Sequence, residues 1–253
     1  MSTELGRYTR EDIERLAPSS VAILPVCAVE QHGFHLPLYT DFLIGDRLAH
    51  LICEEVRRDV PALVCPAVPY GNSHHHFPYP TMSLTSETLI LVLKDLVASL
   101  AKTGFRRVFI LNSHGGNDEA IRIVARDGAR ELGIDIGAAS YWTLAYDKLQ
   151  ELNERDNWSI GHIPGHAGDF ETSMMLTLDP ETVHMDRRPA PRVDAAVKVD
   201  TKDRMYVQRP GNSVGRDGFT DDSRHAAEAI GRASIDIIVK EAAQAIREFA
   251  TLS

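Results

Sequence analysis

Cysteine is scarce in this chain. It has three in 253 residues, Cys27, Cys53 and Cys65, an odd number with no C-x-x-C spacing. That excludes a disulfide framework and a cysteine-based zinc module, and it reads as structural thiols in a reducing compartment. Long hydrophobic runs are missing too: none approaches the roughly 18 to 20 residues of a membrane span. The opening Met1-Ser-Thr-Glu-Leu-Gly-Arg7 is polar and has no secretion-signal pattern, so a cytoplasmic protein with no membrane partner is expected. Positive charge is in deficit, with 27 Lys and Arg against 36 Asp and Glu, a net charge of −9. A nucleic-acid surface needs a basic footprint, which this balance does not supply, so a small-molecule substrate is expected instead. Internal repeats and low-complexity tracts are also absent.

What is present is an alternation of strand-like and helix-like segments. After a short acidic helix around Arg10 to Leu16, Val21 to Val29 reads as a first strand, and Phe42 to Arg58 has helical apolar spacing. Ala62 to Val68 and Arg107 to Asn112 read as strands, separated by a helix over Ser86 to Lys102 that Thr85 or Ser86 caps and Gly104 stops. Asn117 to Leu132 is predicted as a helix ended by Gly133, Ile134 to Trp142 as a fourth strand, and Asp222 to Ala250 as a closing amphipathic helix. Strand and helix in strict alternation imply an α/β fold, here a single-domain three-layer αβα sandwich over residues 1–253 with a mostly parallel central sheet. Residues 180–222, with Pro189, Pro191, Pro210 and several glycines, break the rhythm and read as an irregular excursion, a lid or an oligomer contact.

Parallel sheets place their chemistry beyond the carboxyl ends of the strands. The loop after the first strand runs Glu30-Gln-His32-Gly-Phe-His35-Leu-Pro-Leu-Tyr-Thr-Asp41, which puts four candidate metal ligands in one segment. Glu30 and His32 are two apart on an extended chain and share a face. Asp41 stands at a helix start, where it either caps the helix or completes a carboxylate and imidazole site. After the second strand come His74, His75 and His76, three consecutive imidazoles that point in different directions and cannot all serve one ion. After the third comes Asn112-Ser-His114-Gly115-Gly116-Asn117, where the glycines allow close backbone approach and Asn117 can cap the next helix. Further on, His166 and Glu171 lie about a helical turn apart in Gly165-His-Ala-Gly-Asp-Phe-Glu-Thr172. Each has a structural alternative: a solvated rim for the histidine run, and a first-turn carboxylate favourable to the helix dipole for Glu171.

Three of these segments, Glu30 to Asp41, Asn112 to Asn117 and His166 to Thr172, with Phe77-Pro78 and Ser83-Leu84 ahead of Glu87-Thr88, are collinear with the motifs of the creatininase family, which the chain resembles. The resemblance implies two divalent ions, zinc, manganese or iron, bridged by Asp41. Glu30 and His114 would complete one ion's protein ligands, and His32 would bind the other. Creatininase proper supplies that second ion with a Glu two residues after the N-x-H histidine, where this chain has Gly116; Glu171 is the expected replacement. His166 resembles the histidine that moves protons during ring opening. Trp142 falls where the family has one substrate-contacting tryptophan, and His162 stands in place of the other. His75, Gly115 and Gly116 complete the expected substrate surface. With Gly116 and His162 both altered, the chain resembles the family without matching creatininase proper.

The implied chemistry is metal-dependent hydrolysis, in which a hydroxide activated by two ions opens a cyclic amide or cleaves a related C–N amide bond of a small polar substrate. His166 would act as general acid toward the leaving nitrogen. One alternative is hydrolysis of a C–C bond in an oxidised inositol ring, for which His74 to His76, Arg204, Tyr206 and Arg209 would supply hydrogen-bond donors. A second is a non-catalytic, metal-holding α/β subunit. The resemblance further implies a homohexamer built as a trimer of dimers.

Overall fold

A computed structural model describes residues 2–158, 160–188 and 218–252. In chain order its elements are α1 (Arg10–Leu16), β1 (Val21–Val26), β2 (Val29–Glu30), α2 (Thr40–Val56), β3 (Ala62–Val64), β4 (Thr81–Met82), α3 (Ser86–Thr103) and β5 (Arg107–Asn112). They continue with α4 (Asp118–Leu132), β6 (Asp135–Ser140), α5 (Tyr141–Arg155), α6 (Asp169–Leu178) and α7 (Glu228–Ala250). Four strands form one sheet in the order β3-β1-β5-β6, every neighbouring pair parallel.

The pleat explains why β1 and the interior of β5, Val108 to Leu111, are apolar. Val21 and Ile23 of β1, with Phe109 and Leu111 of β5, face a core built with α2, α5, α6 and α7. Ala22, Leu24, Val108 and Ile110 face the opposite core, built with α1, α3 and α4. Both sheet faces are covered, so alternate residues have no reason to be polar. Each large side chain fully buried in this way contributes about 1.5–3 kcal/mol. The result is the three-layer α/β sandwich that the alternation implies. Among the described residues no helix is long and apolar enough to cross a membrane.

Some boundaries differ from the sequence reading. The first strand stops at Val26, and Val29–Glu30 instead pairs antiparallel with Thr81–Met82. The second strand ends at Val64, although Val68 still makes a bridge to Val26. The fourth ends at Ser140, and Tyr141 and Trp142 open a fifteen-residue helix that the sequence reading did not separate from the strand. Asn117 does not cap α4 with its side chain. Its amide instead donates to Cys27 O and Asn112 Oδ1 and accepts from Asn72 N–H, tying three loops together. The closing helix starts at Glu228, six residues later than expected. The stops at Gly104 and Gly133 hold, both in the left-handed region. Of the irregular excursion, 180–188 forms two 3-10 turns and 218–222 returns to the sheet's carboxyl end. Its lid or contact role, with Arg204, Tyr206 and Arg209, lies outside the described residues.

Candidate metal centre

Asp41 is the first member of the buried stripe of α2. Ile44 and Leu48 follow at spacings of three and four, so the packing that buries them turns the carboxylate inward over the sheet's carboxyl end. Ser113, just after β5, donates its hydroxyl to Asp41 O and holds the helix start in place. Glu30 leaves β1 through the small β2–β4 ladder, His114 follows β5, and Glu171 occupies the first turn of α6.

The structure brings these side chains into two adjoining clusters that share Asp41: Glu30, Asp41 and His114 in one, and His32, Asp41 and Glu171 in the other. In the first, His114 Nδ1 lies 3.3 Å from Glu30 Oε1 and 3.3 Å from Asp41 Oδ2. In the second, His32 Nε2 lies 3.5 Å from Asp41 Oδ1 and 3.7 Å from Glu171 Oε2. Two donors held about 2.1 Å from one tetrahedral ion stand about 3.4 Å apart, so these spacings suit donors that share an ion. The far ring nitrogens fix the tautomers. His32 Nδ1 faces Glu30 O at 3.1 Å and His114 Nε2 faces Asn72 O at 2.9 Å. A carbonyl only accepts, so each far nitrogen carries a hydrogen, and the near nitrogen is the one whose lone pair an ion would take.

The donor set passes a test of fit for divalent cations. Glu30 Oε2, His32 Nε2 and Asp41 Oδ2 are buried with no hydrogen-bond partner among the described residues, which in a closed interior costs free energy unless another group satisfies them. Among the described residues, every ion pair reaching Glu30, Asp41 or Glu171 comes from a histidine. Three buried carboxylates without Lys or Arg are the charge that two dications neutralise most directly.

With no ion between them, the carboxylates draw protons onto the near nitrogens of His32 and His114, the protons that divalent ions would displace. Burial opposes the charge on Glu30, but the rings of His114 and His76 outweigh it and hold its carboxyl well below the usual range. Burial likewise opposes charge on His32 and His114, yet Asp41 with Glu171 raises the first well above the ordinary value, and Glu30 with Asp41 does the same to the second. Glu171 is raised by burial, with His32 opposing. His166 is held well below the usual imidazole range, first by burial and then by the positive ring of His32.

His166 Nδ1 lies 3.7 Å from Glu30 Oε1, on the side of the clusters. Its Nε2 sits 2.9 Å from the Gln31 carbonyl oxygen and 3.0 Å from the Gln31 side-chain nitrogen. The ring's loop is strapped from behind by Asp221, whose Oδ2 accepts from His166 N–H while Oδ1 pairs with His162. Ala167, at φ +52°, turns its N–H onto Glu171 Oε2 at 2.6 Å.

The other expected residues are distributed unevenly. His75 is half-buried, its ring stacked on His114 at 5.6 Å and its pKa pushed down to about 4 by burial. His162 is half exposed beside Asp221. Trp142 is 8% exposed and belongs to the apolar core, edge-on to Tyr141, so little of it is available to a substrate. Gly115 is open, whereas a Cβ on Gly116 would sit 2.1 Å from Asn72 O and 2.5 Å from His114 Nε2. His35, one of the four candidates in the first loop, joins neither cluster: its Nε2 pairs with Thr172 Oγ1 at 2.9 Å, and burial lowers it to about 4.

The Gly116 contact makes a first prediction. Gly116→Ala forces its methyl into the His114–Asn72 hydrogen bond and is expected to destabilise the protein by about 1–3 kcal/mol. At roughly 2–4 °C per kcal/mol for a chain of this size, thermal unfolding would reveal it. An unchanged melting temperature would show that the loop has room the structure does not.

Two central residues were missed by the sequence reading, which put the histidine run at the rim. His76 is 1% exposed, with Nε2 3.1 Å from Glu30 Oε1, and Gln31 bridges it to His166. A 3-10 turn over His74–His76 sends successive side chains about 120° apart, so one of three had to point inward. Nothing local says which. That is set by the β2–β4 pairing and by Gln31 N–H on Pro80 O at 3.0 Å.

Comparison with known proteins gives the same direction. The family model described as Creatininase, creatinine amidohydrolase, matches residues 6–246. A creatinine amidohydrolase of Pseudomonas putida is 31% identical, over 98% of this chain and 97% of its own length. A mycofactocin precursor peptide peptidase of Mycobacterium tuberculosis is 31% identical, over 95% of this chain and 91% of its own. A 3-dehydro-scyllo-inosose hydrolase of Thermotoga maritima is 29% identical, over 68% of this chain and 55% of its own. Among solved structures, a mutant creatininase of Zn-Zn type superposes with a TM-score of 0.85 at 27% identity, covering 100% of both chains.

Proposed function

This chain belongs to the creatininase family of metal-dependent hydrolases, and from that premise we propose that it hydrolyses a C–N amide bond of a small polar substrate, cyclic or open, at a two-metal centre. The observation that carries the reading is Asp41, whose Oδ1 faces His32 Nε2 while Oδ2 faces His114 Nδ1. Glu30, Asp41 and His114 would hold one divalent ion, and His32, Asp41 and Glu171 the other. Glu171 then supplies the carboxylate that Gly116 cannot. Two such ions, zinc, manganese or iron, would supply a water of lowered pKa and a polarised carbonyl.

The proton traffic falls to His166. Its ring is neutral and faces the clusters through Nδ1. Gln31 places an acceptor, its carbonyl, and a donor, its side-chain amide, beside the same Nε2. The ring is therefore hydrogen-bonded whether the hydrogen is on Nε2 or on Nδ1, which a group that takes a proton at Nδ1 and passes it to a departing nitrogen requires. His75, half-buried, and His162, exposed, would meet the substrate's polar periphery.

A second reading, opening of a C–C bond in a keto-inositol, is favoured by the inosose hydrolase relative and by the imidazole-rich rim. The amide reading has the broader support, because the amidohydrolase and peptidase relatives match nearly the whole chain. A third, the non-catalytic subunit, has no observation in its favour. We extend the proposal to a homo-oligomer, a hexamer by the resemblance, on the exposed Phe34, Leu38, Phe77 and Met82. A reducing, cytoplasmic setting accords with three buried, unpaired cysteines.

The test is a panel of lactams, formamides and short peptides set against keto-inositols, with zinc- or manganese-loaded protein. A newly released amine, abolished by chelation and restored by metal, is the expected product. Turnover of keto-inositols alone, or turnover insensitive to chelator, would sink the amide reading.

A further inference from the structure

His76 is the one buried imidazole at this centre whose hydrogen-bond logic runs opposite to that of His32 and His114. Those two turn their far nitrogens to carbonyl oxygens. His76 turns its far nitrogen, Nδ1, to the side-chain nitrogen of Gln31 at 2.9 Å. Orientation of that amide is itself fixed, because Gln31 Oε1 accepts the Gly33 N–H at 3.0 Å. Turning it over would set an NH2 group against a backbone N–H. Gly218, at φ +79°, closes the remaining space: a Cβ there would lie 2.2 Å from Gln31 Oε1. An amide nitrogen only donates, so His76 Nδ1 must be a bare lone pair and the ring's hydrogen must be on Nε2. Nε2 in turn lies 3.1 Å from Glu30 Oε1.

We propose that His76 is a positioning residue, not a metal ligand: its Nε2–H, set by Gln31 and backed by Gly218, holds Glu30 through Oε1, the oxygen that also faces His114 Nδ1 at 3.3 Å, and so fixes how the carboxylate meets the ion. This rests on the two-metal reading above. The spatial alternative is a third ligand set, since Glu30, His75 and His76 also bring donor atoms together. The tautomer argues against it. A ligating His76 Nε2 would need its hydrogen moved to Nδ1, directly against the Gln31 N–H. Charge argues the same way, because three carboxylates and one hydroxide would balance two dications and leave no negative charge for a third. Hydrogen bonds to the groups that ligate a metal are typically worth 10- to 100-fold in affinity.

Nitrogen-15 spectra of histidine-labelled, zinc-loaded protein test this directly. The expected result is two zinc ions per chain, with the His76 resonances, assigned by their loss in His76→Gln, showing a protonated Nε2 and an unprotonated Nδ1. In competition titrations with a chromophoric chelator, His76→Phe is expected to weaken one zinc site by roughly 10- to 100-fold while both sites remain. His76→Gln, which carries an N–H near the position of Nε2, recovers most of that affinity. A protonated Nδ1 with Nε2 on zinc, a third equivalent of zinc lost in both variants, or full affinity in His76→Phe would overturn the proposal while leaving the two-metal reading standing. Fewer than two zinc ions in the unaltered protein would overturn both.

Discussion

Asp41→Asn is expected to lower the metal content from two ions per chain to one or none and to reduce kcat/KM by at least about 1000-fold, some 4 kcal/mol of barrier. The substitution keeps the shape of a side chain that is 3% exposed at the start of α2, so packing is not at issue. What changes is charge and valence. The carboxylate offers one oxygen to the His32 side and the other to the His114 side. The amide replaces one oxygen by an NH2 group, which has no lone pair to give, and removes one of the three negative charges that make a pair of dications tolerable in a buried site. Metal analysis and kinetics on one preparation check it. Thermal melts of the metal-free proteins separate this from damage to the fold: the amide keeps the side chain's shape, and the metal-free variant is expected still to unfold in one cooperative step. Retention of two ions with normal turnover would remove Asp41 from the centre of the account.

His166→Ala makes the complementary case. Here kcat is expected to fall by roughly 100- to 10,000-fold while both metals stay, since a positioned acid–base group contributes about that much and the ring belongs to neither cluster that shares Asp41. The pH dependence has a definite sign. Burial first, and then the His32 charge, hold this ring below its ordinary value of 6.5, so it is neutral at pH 7. The acid limb of the wild-type rate profile should therefore lie below pH 6.5, and the variant should lose that limb along with its rate. Full turnover in the variant would mean that the proton moves by another route.

How far these residues could be read from sequence depends on whether local pattern or distant pairing fixes each one. The β1 and β5 strands and the helices α2, α3 and α4 follow from apolar periodicity and glycine stops at Gly104 and Gly133, all local signals. Glu30, His32, Asp41 and His114 stood out because polar residues directly after buried strands have few structural uses. Tyr141–Arg155 was misread at its start because the apolar Ala138-Ala139 and aromatic Tyr141-Trp142 continue a strand-like run. The helical spacing of Ala145, Leu149 and Leu152 begins only afterwards. Trp142 could be assigned by motif, but not its burial, which comes from the packing of α5 against the sheet. Gln31 and His76 were hidden for a different reason. Their partnership spans 45 residues and depends on a ladder of two residues on each side, too short to leave any periodicity. Asp221, 55 residues from the His166 backbone it holds, is likewise visible only in three dimensions.

The most direct test of the central claim is anomalous diffraction from crystals of the protein supplied with zinc or manganese and never exposed to chelator. The account predicts two peaks flanking the Asp41 carboxylate, one among Oδ1, His32 Nε2 and Glu171, the other among Oδ2, Glu30 and His114 Nδ1. A single peak, or peaks that leave Asp41 coordinating only one ion, would contradict it.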